Sequence, residues 1–274
     1  MKANQLLTAT PLCLCLSFSV CLCLSVCLSL SLSLSLFSLS HTHTSTHKPT
    51  VLVLVNGGAV STEGFDQMGG AKGHGASAIV EAFNPNVVGA KALASLMFGS
   101  VNTWGKLPVT IYPSSFTDKV AMEDFDMTAP PGRTYKYHTG DVNFAFGSGL
   151  SYTTFDMKCA LEKHGGMTQA GAGSSIQCTV KNSGNVDGDE VVMMFARPTA
   201  AVRAKADHVL PLKRLVGFDR LRLARGASGS VTLPFDDDTF ASSNSTGGTT
   251  LYSGVHELVL WRGNGAEQVF QVTV

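Results

Sequence analysis

Late in the first fifty residues, apolar and polar positions alternate almost one for one. Leu28 to Leu39 runs leucine, serine, leucine, serine almost without interruption, and His-Thr-His-Thr follows from His41. Strict alternation is the period of a half-buried strand. A strand with one face of bare leucine and one of bare serine, however, has nothing to set its register. Lys2 followed by Leu6, Leu7, Leu12, Leu14, Leu16 and Phe18 has the form of a secretory signal. The apolar core of such a signal spans roughly 7–15 residues, whereas this run continues to Leu39. Read through the genetic code, a CT repeat encodes Leu-Ser and a CA repeat encodes His-Thr, and both occur here back to back. Residues 1–49 are therefore expected to be a low-complexity repeat or signal-like segment without structure.

The pattern changes at Thr50. Val51–Val55 is apolar without alternation and ends in Asn56-Gly57-Gly58, as in a strand buried on both faces of a parallel sheet. A second apolar run, 78–83, stops at Asn84-Pro85-Asn86. Val88, Ala92, Leu93, Leu96 and Met97 then recur at helical spacing between a candidate N-cap, Asn86, and a candidate C′ glycine, Gly99. These positions predict a helix over 87–98. "GKLPVTIYP" (105–113) is expected to be a further strand. Strand, strand, helix, strand spells an α/β layer, but with too few strands to close it, so residues 50–130 are expected to be a truncated layer. Its first strand, left with an unpaired apolar edge, predicts self-association.

Residues 131–155 are rich in aromatics and turn formers, which predicts a packed bridging loop, since disordered linkers are poor in aromatics. Beyond it the period is two. Phe155, Met157, Cys159 and Leu161 alternate with polar or small residues, as do Ile176, Cys178 and Val180. Further strands are expected at 190–197, 213–218, 228–235, 254–261 and 267–274, with turns such as Asn244-Ser245-Thr246-Gly247-Gly248 between them. Seven short strands over 156–274 match an immunoglobulin-like sandwich. The fold class is therefore α/β followed by all-β: a truncated α/β sandwich layer plus a seven-stranded β-sandwich.

Composition removes options. Twenty Lys+Arg balance twenty Asp+Glu, so the electrostatic footprint of a nucleic-acid binder is missing. Five of the seven cysteines lie in the repeat at spacings of no zinc or redox motif. Cys159 and Cys178, on neighbouring strands, are compatible with a disulfide, but plain core is the favoured reading. "GGAKGHGA" (69–76) lacks the Gly-Lys-Ser/Thr ending of a phosphate loop. Asp236-Asp237-Asp238 lacks the glycine and distal glutamate of a calcium loop and is expected to be a turn, and Glu123, Asp124 and Asp126 form a solvated acidic loop. No metal site and no cofactor are expected.

The segments "VLVLVNGG", "FGSVNTWGKLPVTIYP", "PGRTYKYHTGDVNFAFGSGLSYTTF", "VKNSGNVDGDEVVMMFARP" and "LPLKRLVGFDRLRLARGASGSVTL" follow in order, and together they resemble the C-terminal part of glycoside hydrolase family 3, which includes β-glucosidases and β-xylosidases. The resemblance covers residues 50 to 274 and identifies 156–274 as similar to the family's fibronectin type III-like domain. It implies hydrolysis of oligo- or polysaccharides, secretion, and no nucleic-acid or membrane partner. It also implies that the catalytic aspartate and the acid/base glutamate belong to parts of the family with no counterpart here, so no catalytic residue is assigned. Retaining glycoside hydrolysis needs two carboxyls about 5–5.5 Å apart, one ionised and one a proton donor. Among the surviving residues, Glu63, Asp66 and His74 follow the C-terminal end of the first strand, where open α/β sheets bind ligands, and are the candidates for lining a sugar site.

Two function classes remain: a fragment of a β-glycosidase, inactive alone, or a non-catalytic polysaccharide-binding or interaction module. The second would need flat aromatic platforms, and there are only two tryptophans, Trp104 and Trp261, the latter on a predicted core strand.

Overall fold

The computed structural model describes residues 13–18, 50–63, 78–162 and 174–274. They form two compact units, one built from residues up to Leu93 with Ile111–Ser114, the other from Ala94–Thr110 with Ser115–Val274.

The first unit is organised by a three-stranded parallel sheet, β1 (Cys13–Phe18), β2 (Thr50–Val55) and β3 (Ala78–Glu81), with β2 in the middle. Leu14 pairs with Val51 on one side of β2, and Val51 with Ala78 on the other. This corrects two expectations. The segment 1–49 is not wholly without structure, because Cys13–Phe18 is a strand. The edge of β2 invoked for self-association is closed on both sides. The physical reason is the same for both: an apolar strand with unpaired N–H and C=O groups is a template for any chain of β-forming residues that reaches it, and "CLCLSF" is such a chain. Leu52, Val53 and Leu54 are buried, as the continuous apolar run requires.

Helix α1 (Val87–Met97) starts and stops where the caps predict. The Asn86 Oδ1 accepts the Gly89 N–H at 2.9 Å, and Gly99, at φ 73°, donates its N–H to the Leu96 carbonyl at 3.0 Å. Its expected apolar face is only partly covered. Leu93, Leu96 and Met97 are half-buried, whereas Val88 and Ala92 are exposed. "GKLPVTIYP" does not form the expected strand. Leu107 instead exchanges hydrogen bonds with a loop, donating to the Ser148 carbonyl at 2.8 Å and accepting from the Gly147 N–H at 2.7 Å. Pro108 and Pro113, which have no N–H, keep the segment from extending that ladder.

In the second unit the seven expected strands are all present: β4 (Phe155–Glu162), β5 (Ser174–Asn182), β6 (Gly188–Pro198), β7 (Arg214–Leu223), β8 (Ser228–Phe235), and, after a small hairpin of β9 (Ser242–Ser243) and β10 (Thr249–Thr250), β11 (Val255–Trp261) and β12 (Gln268–Thr273). A sheet of order β4-β5-β8 faces one of order β12-β11-β6-β7, every pairing antiparallel. Between them lies a core that includes Ile176, Cys178, Val180, Val192, Met194, Val231, Leu258 and Leu260.

Strand β6 is buried almost continuously because its sheet is covered on both faces. On the face away from the sandwich core, Met193, Phe195 and Val259 pack with Tyr135 and Phe146 of the bridging loop and with Trp261. The Tyr135 ring stacks on Phe146 at 4.2 Å and meets Phe195 edge-on at 5.9 Å. A buried ion triad fastens the same loop region. Glu190 holds Lys106 through one carboxylate oxygen and Arg262 through the other, each at 2.7 Å. Gly147, at φ 85°, fits here because a Cβ would meet the Met193 Cε at 2.9 Å.

Cys159 and Cys178 are directly opposed across β4 and β5 and are joined in a disulfide, not left as separate core thiols. The backbone explains the pairing. The Cys159 N–H turns away from β5 and donates to the Gln268 Oε1 at 3.0 Å, which makes 159–178 a non-hydrogen-bonded pair, the kind that brings opposed side chains closest.

Candidate functional site

The carboxyl ends of β2 and β3 lie side by side, the place where an open parallel sheet presents ligand-binding loops. Pairing runs past the strands: the Ala82 N–H donates to the Leu54 carbonyl at 2.9 Å and the Asn56 N–H to the Phe83 carbonyl at 3.1 Å. Asn56 is buried, and its Nδ2 donates to the Glu81 Oε2 at 3.4 Å. The other Glu81 oxygen accepts the Phe83 N–H at 3.1 Å, holding Phe83 at φ 50°, in the left-handed region that a bulky residue seldom adopts. Burial pushes the Glu81 carboxyl above the usual carboxylate range, while the hydrogen bonds from Phe83 and Asn56 oppose that shift.

Glu63 stands in the opposite electrostatic situation. Its Oε2 accepts the Ser114 N–H at 2.9 Å and also the Ser114 hydroxyl. Those two bonds, the side-chain one foremost, hold its carboxyl below the usual range on an exposed stretch of chain. Of the three residues expected to line a sugar site, Glu63 is exposed and hydrogen-bonded to Ser114; Asp66 and His74 lie outside the described residues.

Asn56 and Glu81 escaped the sequence reading. Their signal is faint: Asn56 is the first polar residue after an apolar strand, and Glu81 is the lone charge in "AIVEAF". Chemically, the two carboxyls have proton affinities pushed apart, but each is held by its own protein partners. Glu63 is an acceptor occupied by Ser114, and Glu81 serves the turn at Asn56 and Phe83.

The other acidic clusters are turns, as expected. Asp126 accepts the Thr128 N–H at 2.8 Å and its hydroxyl at 2.7 Å, and Asp236 caps the turn at Thr239, accepting the Thr239 N–H at 3.0 Å. Among the described residues, no group of three or more His, Cys, Asp or Glu is placed to hold a metal ion, and no helix is long and apolar enough to cross a membrane.

The architecture is thus a short parallel sheet followed by a seven-stranded sandwich packed against an aromatic loop. Comparisons with known proteins identify its family. Residues 37–152 match the glycosyl hydrolase family 3 C-terminal domain, and residues 190–262 match the fibronectin type III-like domain. The chain belongs to glycoside hydrolase family 3. A probable β-D-xylosidase 6 of Arabidopsis thaliana is 30% identical over 251 residues, 78% of this chain and 30% of that relative. An exo-β-xylosidase of the family, solved with a xylobiose aziridine probe, superposes with a TM-score of 0.70 at 26% identity, over 86% of this chain and 32% of that one. The β-glucosidase of Bifidobacterium adolescentis gives 0.65 at 26% identity, over 86% and 34%. The chain therefore spans about 30% of the length of the curated relatives it matches.

Proposed function

We propose that this chain acts as the C-terminal, non-catalytic part of a secreted β-glycosidase of the β-xylosidase or β-glucosidase type, and that alone it does not hydrolyse glycosides. The observation that carries this reading is the match of residues 37–152 and 190–262 to the family's C-terminal and fibronectin type III-like domains, over about 30% of the relative's length. Glu63, whose Oε2 accepts two hydrogen bonds from Ser114, is an exposed side chain, whereas retaining hydrolysis needs a pair of carboxyls about 5–5.5 Å apart around the sugar. General acid–base help contributes typically about 10²–10⁴-fold, and nucleophilic catalysis adds to that. The Cys159–Cys178 bridge supports secretion, because disulfides persist in oxidising compartments. The tryptophans favour this reading over a polysaccharide-binding module. Trp261 packs on the sheet face beneath Lys213, and Trp104 meets Tyr152 edge-on at 5.9 Å, so neither forms a flat sugar platform with its neighbours.

The test is direct. The purified 274-residue chain is expected to release no more aryl alcohol from aryl β-xylosides or β-glucosides than a no-enzyme control. Turnover that Glu63→Ala or Glu81→Gln abolishes would make the sheet end an active site in its own right.

A further inference from the structure

The turn Asn244-Ser245-Thr246-Gly247-Gly248 joins β9 to β10, a hairpin outside both sheets of the sandwich. Its first three residues are the one Asn-X-Ser/Thr triplet with X other than proline in the whole sequence, and such a triplet is an acceptor for N-linked glycans in a secreted protein. We infer that Asn244 is an N-glycosylation site.

Three observations support this beyond the triplet. Ser245 to Thr249 are exposed, so a bulky polar group at the tip displaces no packed side chain. The amide of Asn244 is arranged to accept substitution. Its Oδ1 takes the Thr246 N–H at 3.1 Å, the Thr246 hydroxyl at 2.9 Å and the Gly248 N–H at 2.8 Å, while its Nδ2 donates to the Thr250 Oγ1 at 3.1 Å. A primary amide carries two N–H bonds, so one can be replaced by a bond to sugar while the other keeps Thr250 and the turn is retained. Finally, the Cys159–Cys178 bridge is a bond that persists in oxidising compartments, where such transfer takes place.

The step balances simply. The Asn244 Nδ2 forms a bond to the anomeric carbon of an oligosaccharide carried on a lipid diphosphate. The bond from that carbon to the diphosphate breaks, the diphosphate leaves with the electron pair, and one amide proton is lost. No oxidant or reductant is needed. The inference rests on the secretory part of the proposed function and is independent of hydrolase activity.

The full chain, fused behind a cleavable secretion signal and expressed in a eukaryotic host, tests it. An N-glycan-releasing amidase is expected to remove a single mobility shift, and release in ¹⁸O-water to leave a labelled aspartate at position 244 in the peptide mass spectrum. Asn244→Gln and Thr246→Ala are expected to lose the shift, and Thr246→Ser to keep it at reduced occupancy. The wild-type peptide spectrum decides the matter even if a variant folds poorly. Formation of the Cys159–Cys178 bridge reports separately that the chain reached the lumen. A chain with that bridge formed and Asn244 unmodified overturns the inference, and glycan on Asn244 upholds it whether or not the chain shows any hydrolase activity.

Discussion

The parallel sheet of the first unit and the sandwich of the second bury apolar surface in different ways. In the sheet, the buried cluster among the described residues is Leu52 and Leu54 with Ile79 packed against them. In the sandwich, two sheets enclose one core and a bridging loop builds a second against the outer face of β6 and β11. Burial of apolar surface is the main favourable term in folding, at about 25 cal/mol per Å². The sandwich with its loop should therefore be a cooperative unit, whereas the parallel sheet should open at much lower free energy.

Paired substitutions sharpen that contrast most. Phe195→Ala empties a fully buried site beneath Tyr135 and Phe146, and should lower the unfolding free energy of the second unit by about 3–5 kcal/mol. Leu52→Ala removes a comparably buried side chain from the parallel sheet and should leave the main urea transition in place. Equal shifts in midpoint would break the contrast.

Glu190→Ala strips the shared anion from Lys106 and Arg262, whose side chains are 11% and 15% exposed. Removing one partner of a buried ionic group costs about 3–5 kcal/mol, because the remaining charges stay buried without compensation. Thermal unfolding should show that loss in the same cooperative transition as Phe195→Ala.

Cys159→Ala opens a bridge between residues separated by 19 in sequence. Such a bridge restricts the unfolded chain, and its loss should cost roughly 3 kcal/mol. Addition of a dithiol reductant to the wild-type chain should reproduce the shift, and a variant insensitive to reductant would sharpen the assignment.

The smallest effect is titration of His256. This residue is 2% exposed on β11, and its Nε2 lies 2.8 Å from the Tyr252 carbonyl. Burial lowers the imidazole pKa, with the backbone bond opposing and Lys205 adding to the shift. The folded form thus resists protonation, and the unfolded chain takes the proton near its ordinary value of about 6.5. The stability contribution is present above that pH and is lost as pH falls from about 6.5 through the lowered folded value. Glu63, Asp126 and Asp207, whose carboxyls are held below the usual range, act in a separate, more acidic window. Urea midpoints between pH 7.5 and pH 5 should fall for the wild-type chain and flatten for His256→Gln.

The sandwich was legible in the sequence because strands such as β4, β5 and β8 alternate along their length. Phe155, Met157, Cys159 and Leu161 face inward as their spacing requires. The bridging loop was legible from its aromatics, two of which, Tyr135 and Phe146, build the outer core. Contacts between distant segments were not. The apparent strand at 105–113 is broken by the bonds that Leu107 accepts from Gly147 and donates to Ser148, and the partner of β2, Cys13–Phe18, comes from a segment expected to lack structure. The disulfide depended on which face of β4 turns its N–H outward, as Cys159 does toward Gln268. The state of Glu63 is set by Ser114, 51 residues away, and no local pattern reports such a contact.

Native-state hydrogen exchange followed by mass spectrometry tests most directly whether stability resides in the second unit. Slowest exchange is expected in 176–180, 192–196 and 258–260, with protection extending to the loop at 133–148, which packs on the outer sheet face. Exchange in 51–55 and 78–81 should be faster by orders of magnitude and unaffected by Phe195→Ala. Equal protection of the parallel sheet and the sandwich, lost together in that variant, would contradict the account.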